Sequence, residues 1–246
     1  HAAGGLSGLY IDPASTPAET IFYSIADNGP NGKKKIDGVG TVRVFDLPAL
    51  QKVIYKFTLT SGGCTLEEIP LKRSDNTPIT AIPPPYFQEL PAAKTSASYP
   101  NTDYTDADGN TYHSLTPDNF GGDFEGILIA DGNFWTVDEY GPFLDKFDST
   151  GTHLARYLPS GYAALASGTA GDFGTETLPA VLLKRKTNRG FEAMAYDGSS
   201  TNLCDTSRAR LPVCSNKVRG PVRRRLSFTG NVLPITPLCS DFPRGV

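Results

Sequence analysis

Apolar and polar residues alternate along this chain in short runs, each bounded by Gly, Pro, Asn or Asp. That pattern predicts strands joined by turns rather than helices. The clearest runs are Ile21 to Asp27 (IFYSIAD), Val42 to Phe45, Val53 to Leu59, Phe134 to Asp138 (FWTVD), Phe143 to Phe147 and His153 to Leu158. The turn Asp148-Ser149-Thr150-Gly151 separates the last two.

The runs fall into repeated units. Gly122 to Pro142 reads GDFEGILIADGNFWTVDEYGP, and half of that signature returns at Arg189 to Asp197 as RGFEAMAYD. An earlier copy, GLSGLYID, spans Gly5 to Asp12 and puts Ser7 where the others have Glu125 and Glu192. Internal repeats reveal architecture before single residues reveal chemistry. Four consecutive antiparallel strands per repeat describe the blade of a β-propeller. The expected fold is therefore all-β, a propeller of four-stranded antiparallel blades. Two complete repeats and the first strand of a third are visible, so the ring is expected to be incomplete. Open strand edges and an uncovered apolar face would favour self-association.

Composition agrees with frequent turning: Gly 25 and Pro 20 in 246 residues exceed the usual share of about 12%. No apolar run reaches the ~18 residues that a membrane span needs. His1 is expected to be either a mature N-terminus or a cut chosen for this chain. The formal charge of -3 conceals a break. Residues 1–203 carry 15 Lys+Arg against 24 Asp+Glu, whereas residues 204–246 carry 8 against 2. This second segment also holds Cys204, Cys214 and Cys239 and shows little alternation. The domain reading is accordingly residues 1–203 as partial propeller repeats and residues 204–246 as an atypical basic tail. Three explanations of the tail compete: a basic surface for nucleic acid or an acidic partner, a Cys204–Cys214 loop in an oxidising compartment, or a shift of reading frame after Leu203. Thr60 to Pro117 carries no repeat signature and reads as irregular connection with one more short hairpin, either a lid or a plain surface insertion.

Several motifs are long and ordered enough to carry a resemblance: DFEGI at Asp123 to Ile127, FWTVDEYGP at Phe134 to Pro142, RYLPSG at Arg156 to Gly161, and LPAVLLKRKTNRGFEAMAYD at Leu178 to Asp197. In these the chain resembles the phytase-like domain family, described as the esterase-like activity of phytase, from about Gly4 to Leu203. The resemblance implies an extracellular or periplasmic propeller whose acidic residues serve phosphoester chemistry with calcium.

The residues themselves allow that chemistry and a plainer one. Glu125 and Glu192 hold equivalent places on the first strand of their repeats, the innermost strand of a propeller blade. Carboxylates gathered near one axis repel one another unless a cation or a shared proton compensates them. Hard oxygen donors suit Ca²⁺. Asp123, Glu125 and Glu192 are the expected metal ligands, and Glu125, Glu192, Asp138 and Glu139 the expected acid–base groups. Arg189 is the expected phosphate-binding residue, ahead of the Lys184-Arg185-Lys186 run, which reads more simply as a solvated loop. The plainer alternative makes Glu125 and Glu192 hydrogen-bond acceptors that fasten unit to unit.

Other chemistries leave little trace. His1, His113 and His153 are too scattered for a zinc site. Ser7 in GLSGL is not a nucleophile elbow, nucleotide-binding glycine loops are absent, and Asp106-Ala-Asp108-Gly-Asn110 reads as a turn rather than a calcium loop. Trp135 is expected to pack between units. The partner expected is a small-molecule phosphate ester, with no nucleic acid and no membrane span. The alternative function is a non-catalytic propeller that binds a ligand or partner.

Overall fold

In the computed structural model of the chain, residues 5–29, 31–36, 40–85, 104–113, 115–185, 189–195 and 213–214 are described. β1 (Leu6–Ile11) and β2 (Glu19–Ala26) open the first unit. The hairpin of β3 (Asn31–Ile36) and β4 (Gly40–Phe45) follows, then β5 (Val53–Thr60) and β6 (Gly63–Pro70). A small hairpin, β7 (Tyr104–Thr105) and β8 (Thr111–Tyr112), precedes the second unit. That unit is β9 (Phe124–Ala130), β10 (Asn133–Asp138), β11 (Phe143–Phe147) and β12 (His153–Pro159). A single helical turn, α1 (Tyr162–Leu165), leads to β13 (Thr175–Leu178), and the short pair β14 (Ala193–Met194) and β15 (Val213–Cys214) ends the described chain.

The first sheet has the order β1-β2-β5-β6 and the second β13-β12-β11-β10-β9. Each contains the expected four-stranded antiparallel meander, and the second adds β13, parallel to β12, on its outer edge. The expectation for the first unit needs two corrections. Val42 to Phe45 belongs to β4, which pairs with β3 in a separate hairpin inserted between the sheet's second and third strands. The fourth strand is Gly63–Pro70, which the sequence offers as loop. β6 is exposed at nearly every residue, so no buried face imposes alternation on it. The hairpin expected between Thr60 and Pro117 exists as β7–β8, with Asp106 in its turn accepting the backbone N–H groups of Asp108 and Asn110. Asp148 caps the β11–β12 turn in the same way, accepting from Thr150 and Thr152.

The two sheets stand side by side with their first strands adjacent. β1 lies against β9, and β9 against β14. Tyr23, Ile25, Ile54, Phe124, Ile127, Phe134 and Phe147 fill the space between the sheets. Leu128, Trp135, Val137, Leu144, Leu178 and Phe191 fill the space between the second sheet and the third unit. Trp135 does pack there, its ring stacked on Tyr157 at 6.0 Å. Small residues inside the repeats permit this approach. A Cβ at Gly8, whose φ is +69°, would meet Gly126 Cα at 2.9 Å, and one at Gly126 would meet Ala193 Cα at 3.3 Å. Thus the small residue after Ser7, Glu125 and Glu192 is where successive first strands touch.

Among the described residues the sheets remain open and no ring closes. On the outer side of β1, Leu9 is 65% and Ile11 58% exposed. No helix among the described residues is long and apolar enough to cross a membrane. Residues 186–188 and 196–212, and with them Lys186, Asp197 and Cys204, lie outside the described residues, as does Cys239. Within the tail, Val213–Cys214 pairs antiparallel with Ala193–Met194, where a second strand of the third unit would lie.

Candidate functional site

Both meanders carry a bulge in their first strand, and the second bulge aims a carboxylate. Val137 pairs with Gly126 and Asp138 with Phe124, so Glu125 is the extra residue in β9. In β1 the extra residue is Gly8. Glu125 is thereby released from strict alternation and joins Asp123, just ahead of the same strand. Asp27, at the end of β2, completes the group from the first unit. One carboxylate oxygen from each of Asp27, Asp123 and Glu125 lies within 4.8 Å of the others. Two of the expected metal-site residues therefore meet, and the third partner is Asp27. Glu192 stands half-buried ahead of β14, outside this group.

Local bonds fix the site from several sides. Asn28 donates its backbone N–H to Asp123 Oδ1 at 3.1 Å and its side-chain amide to Oδ2 at 2.7 Å. From beneath, Asp138 Oδ2 accepts the Asp123 N–H at 3.3 Å while its Oδ1 accepts the N–H of Gly141 at 3.2 Å. Lys52, immediately ahead of β5, is only 3% exposed. Its ammonium donates to the carbonyls of Ala26, at 2.6 Å, and of Asp27.

Burial and mutual repulsion decide the protonation states. Burial pushes the Asp123 carboxyl well above the usual carboxylate range, reinforced by its hydrogen bond to Asp27 and by the charges of Asp27, Asp138 and Glu125. Burial also raises Asp27, but that same bond, the Asn28 N–H and the charges of Lys52 and Arg43 outweigh it and hold Asp27 below the usual value. The two carboxyls are thus pushed in opposite directions, Asp123 toward its protonated form and Asp27 toward its ionised form. Asp138, with no exposed surface, is pushed up to about 7 by burial, against the opposing charge of Arg156. Lys52 is pulled down to about 8 by burial, although Asp123, Asp27, Asp138 and Glu125 all favour its charged form.

Arg156, in the RYLPSG stretch, supports the segment that delivers Asp123. Its Nε donates to Asp145 at 2.7 Å, and its terminal nitrogens donate to the carbonyls of Asn119 at 3.1 Å and Phe120 at 3.0 Å. His153 Nε2 lies 2.9 Å from the same Asp145 oxygen. Burial would raise Asp145, but the adjacent Arg156 and His153 keep it below the usual range. Glu139 and Arg189 form a second, smaller pair at 3.2 Å, with the Glu139 side chain 7% and the Arg189 side chain 48% exposed. Arg189 can therefore reach solvent while Glu139 orients it. Lys184 and Arg185 close the short turn over 180–184, and Arg185 donates to the Tyr140 carbonyl.

All the ligand atoms that converge here are hard oxygens, and the charges of Lys52 and Arg43 are set against them. That chemistry fits a divalent ion of the calcium type, which takes six to eight oxygen ligands. Asp27, Asp123 and Glu125 would hold it. Sequence reasoning missed Asp27 and Lys52. The backbone bonds make Asp27 the counterpart of Glu139, because Asp27 N–H donates to Gly5 O at 2.7 Å as Glu139 N–H donates to Asp123 O at 2.8 Å. Setting SIAD over TVDE would have shown that correspondence.

The chain resembles an uncharacterized secreted protein of Arthroderma benhamiae, with 27% identity over 220 residues that cover 75% of this chain and 39% of that protein. It thus spans less than half the length of that curated relative. No solved structure matches it significantly. The family model for the phytase-like domain, the esterase-like activity of phytase, matches residues 1–207, and the chain belongs to that family.

Proposed function

We propose that this chain hydrolyses phosphate esters of small molecules with the help of calcium, at the junction of its first two units, and that it works outside the cytoplasm. Family membership and the secreted relative support the class and the location. The observation that carries the reading is the convergence of Asp27, Asp123 and Glu125 within 4.8 Å across a unit boundary. In this reading the two meanders and the beginning of a third are blades of a propeller.

When bound, calcium would neutralise phosphate charge and acidify a coordinated water. The protein's own groups do the rest. Asp27, Asp123 and Glu125 would hold the ion with their carboxylate oxygens. Asn28 and Asp138 fix the orientation of Asp123. Arg189 binds the phosphate of the substrate with Glu139 as its orienting partner. Glu192 receives no ligand role.

The Asn28 and Lys52 contacts favour a second reading, in which the carboxylates are a staple between units and the chain is a non-catalytic binding module. Hydrolysis of p-nitrophenyl phosphate and of its bis-ester, with calcium and with EDTA, separates the two. Calcium-dependent turnover that falls by about 10²-fold or more in Glu125→Gln supports the enzyme. Turnover untouched by that substitution, in a protein that melts as the parent does, removes these carboxylates from the mechanism.

A further inference from the structure

The junction between the first two units differs from the junction that follows it in one respect. At the second boundary the carbonyls of Asp138 and Glu139 accept the backbone N–H groups of Phe191 and Gly190, both at 2.9 Å. Their counterparts at the first boundary, Ala26 and Asp27, accept the Lys52 ammonium instead. The backbone N–H of Asp123, which corresponds to that of Gly190, turns to Asp138 Oδ2. A neutral amide therefore suffices for these carbonyls at the second boundary, where among the described residues no cluster of three carboxylates is found. The full charge appears where Asp27, Asp123 and Glu125 meet. The ammonium also lies 6.0 Å from the centre of the Phe124 ring, in a setting with little water to screen it.

We propose that Lys52 is the resident counter-cation of the Asp27–Asp123–Glu125 nest and antagonises divalent-ion binding there, so that it sets the affinity of the site. The inference rests on the calcium reading above. The Lys52 ammonium, bonded to the Asp27 carbonyl, sets a full positive charge against this cluster of three carboxyl groups. An incoming divalent ion is repelled by that positive charge, and removing it leaves the nest more attractive to the ion. Lys52→Gln keeps a donor for the two carbonyls and deletes the charge. Lys52→Arg keeps the charge.

The test is calorimetric titration of calcium into the full chain at fixed pH and ionic strength. Lys52→Gln is expected to bind at least tenfold more tightly than the parent, and Lys52→Arg about as the parent does. Unchanged or weaker binding in Lys52→Gln overturns the proposal and leaves the calcium reading intact. Calcium binding in none of the three sinks both. Should Lys52→Gln fail to fold, the ¹⁵N resonance of the Lys52 side chain in the parent decides. Calcium at saturation must shift it, and a resonance that stays in place overturns the antagonism.

Discussion

Asn28 grips Asp123 with two hydrogen bonds, one from its backbone N–H at 3.1 Å and one from its side-chain amide at 2.7 Å, across 95 positions of sequence. The pair ties the end of the first unit's second strand to the start of the second unit's first strand. It does so at a carboxyl that burial and its neighbours already make reluctant to ionise. Asn28→Ala removes one of the two donors and should cost about 1–3 kcal/mol, the range for a buried acceptor left short of its partner. Asn28→Asp should cost more at neutral pH, because it places a further carboxylate against Asp27 and Asp123. Urea unfolding of both variants at pH 5 and pH 7.5 checks this. Equal losses for Asn28→Asp at the two pH values would show that repulsion is not the cause.

Contact between successive first strands explains why a small residue follows each Ser or Glu of the repeat. Gly8 has a positive φ, and a Cβ there would strike the Gly126 backbone, which cannot swing aside as a side chain can. Gly132, in the β9–β10 turn, has a similar φ of +71° but nothing within 4 Å of its would-be Cβ. Gly132→Ala should therefore cost about 1 kcal/mol, the conformational term alone. Gly8→Ala should add the overpacking cost of about 1–3 kcal/mol. Equal midpoints in urea for the two variants would mean that β1 does not press on β9 in solution.

Stability should fall as pH rises through the acid-to-neutral range. Asp138, at about 7 in the folded chain, and Asp123, also raised, hold protons that the unfolded chain releases near its ordinary carboxylate value of 3.8. Between those limits the native state binds more protons, so unfolding free energy declines with pH, by about 1.4 kcal/mol per pH unit for each such group. Below the unfolded value the contribution is complete, and above the folded value it has gone. Asp27 and Asp145 are depressed, so their contribution is already complete above the unfolded value and is lost only as pH falls further. Urea titrations in EDTA from pH 4.5 to 7.5 should show the decline in the parent and a shallower one in Asp138→Asn. A slope rising with pH in the parent would mean that these carboxyls ionise normally.

The repeated FEG and FEA units, with LSG as the earlier copy, displayed the first strands, and the four-stranded meander followed from runs whose buried face enforces alternation. The same signal failed for β6, which has no buried face, and it drew Val42–Phe45 into the sheet although β4 pairs only with β3. Asp123 and Glu125 were legible because they sit inside a motif that returns. Asp27 ends the IFYSIAD run as Asp138 ends FWTVD, which reads only as a shared strand end, and its place beside Asp123 depends on contact between units. A lone lysine before a strand reads as solvated, and only the fold shows Lys52 buried against two carbonyls. Contacts between units depend on how neighbouring units are set, which no local period encodes.

Calcium should stabilise the chain through Asp27 as much as through Glu125, because both contribute oxygens to one group within 4.8 Å. A ligand at ~100 times its dissociation constant adds about 2.7 kcal/mol to the native state. For a chain of this size that corresponds to a rise in Tm of about 5–10 °C over the value in EDTA. Asp27→Asn and Glu125→Gln should each abolish most of the rise, while Glu192→Gln should keep it. Loss of the rise in Glu192→Gln with retention in Asp27→Asn would move the ion to the boundary between the second and third units, where Glu139 and Arg189 already pair. The sequence motif alone treats Glu125 and Glu192 as equals, so this comparison asks which neighbour of Glu125 the ion recognises. The expected answer is Asp27, the carboxylate of the first unit, whose carbonyl accepts the Lys52 ammonium.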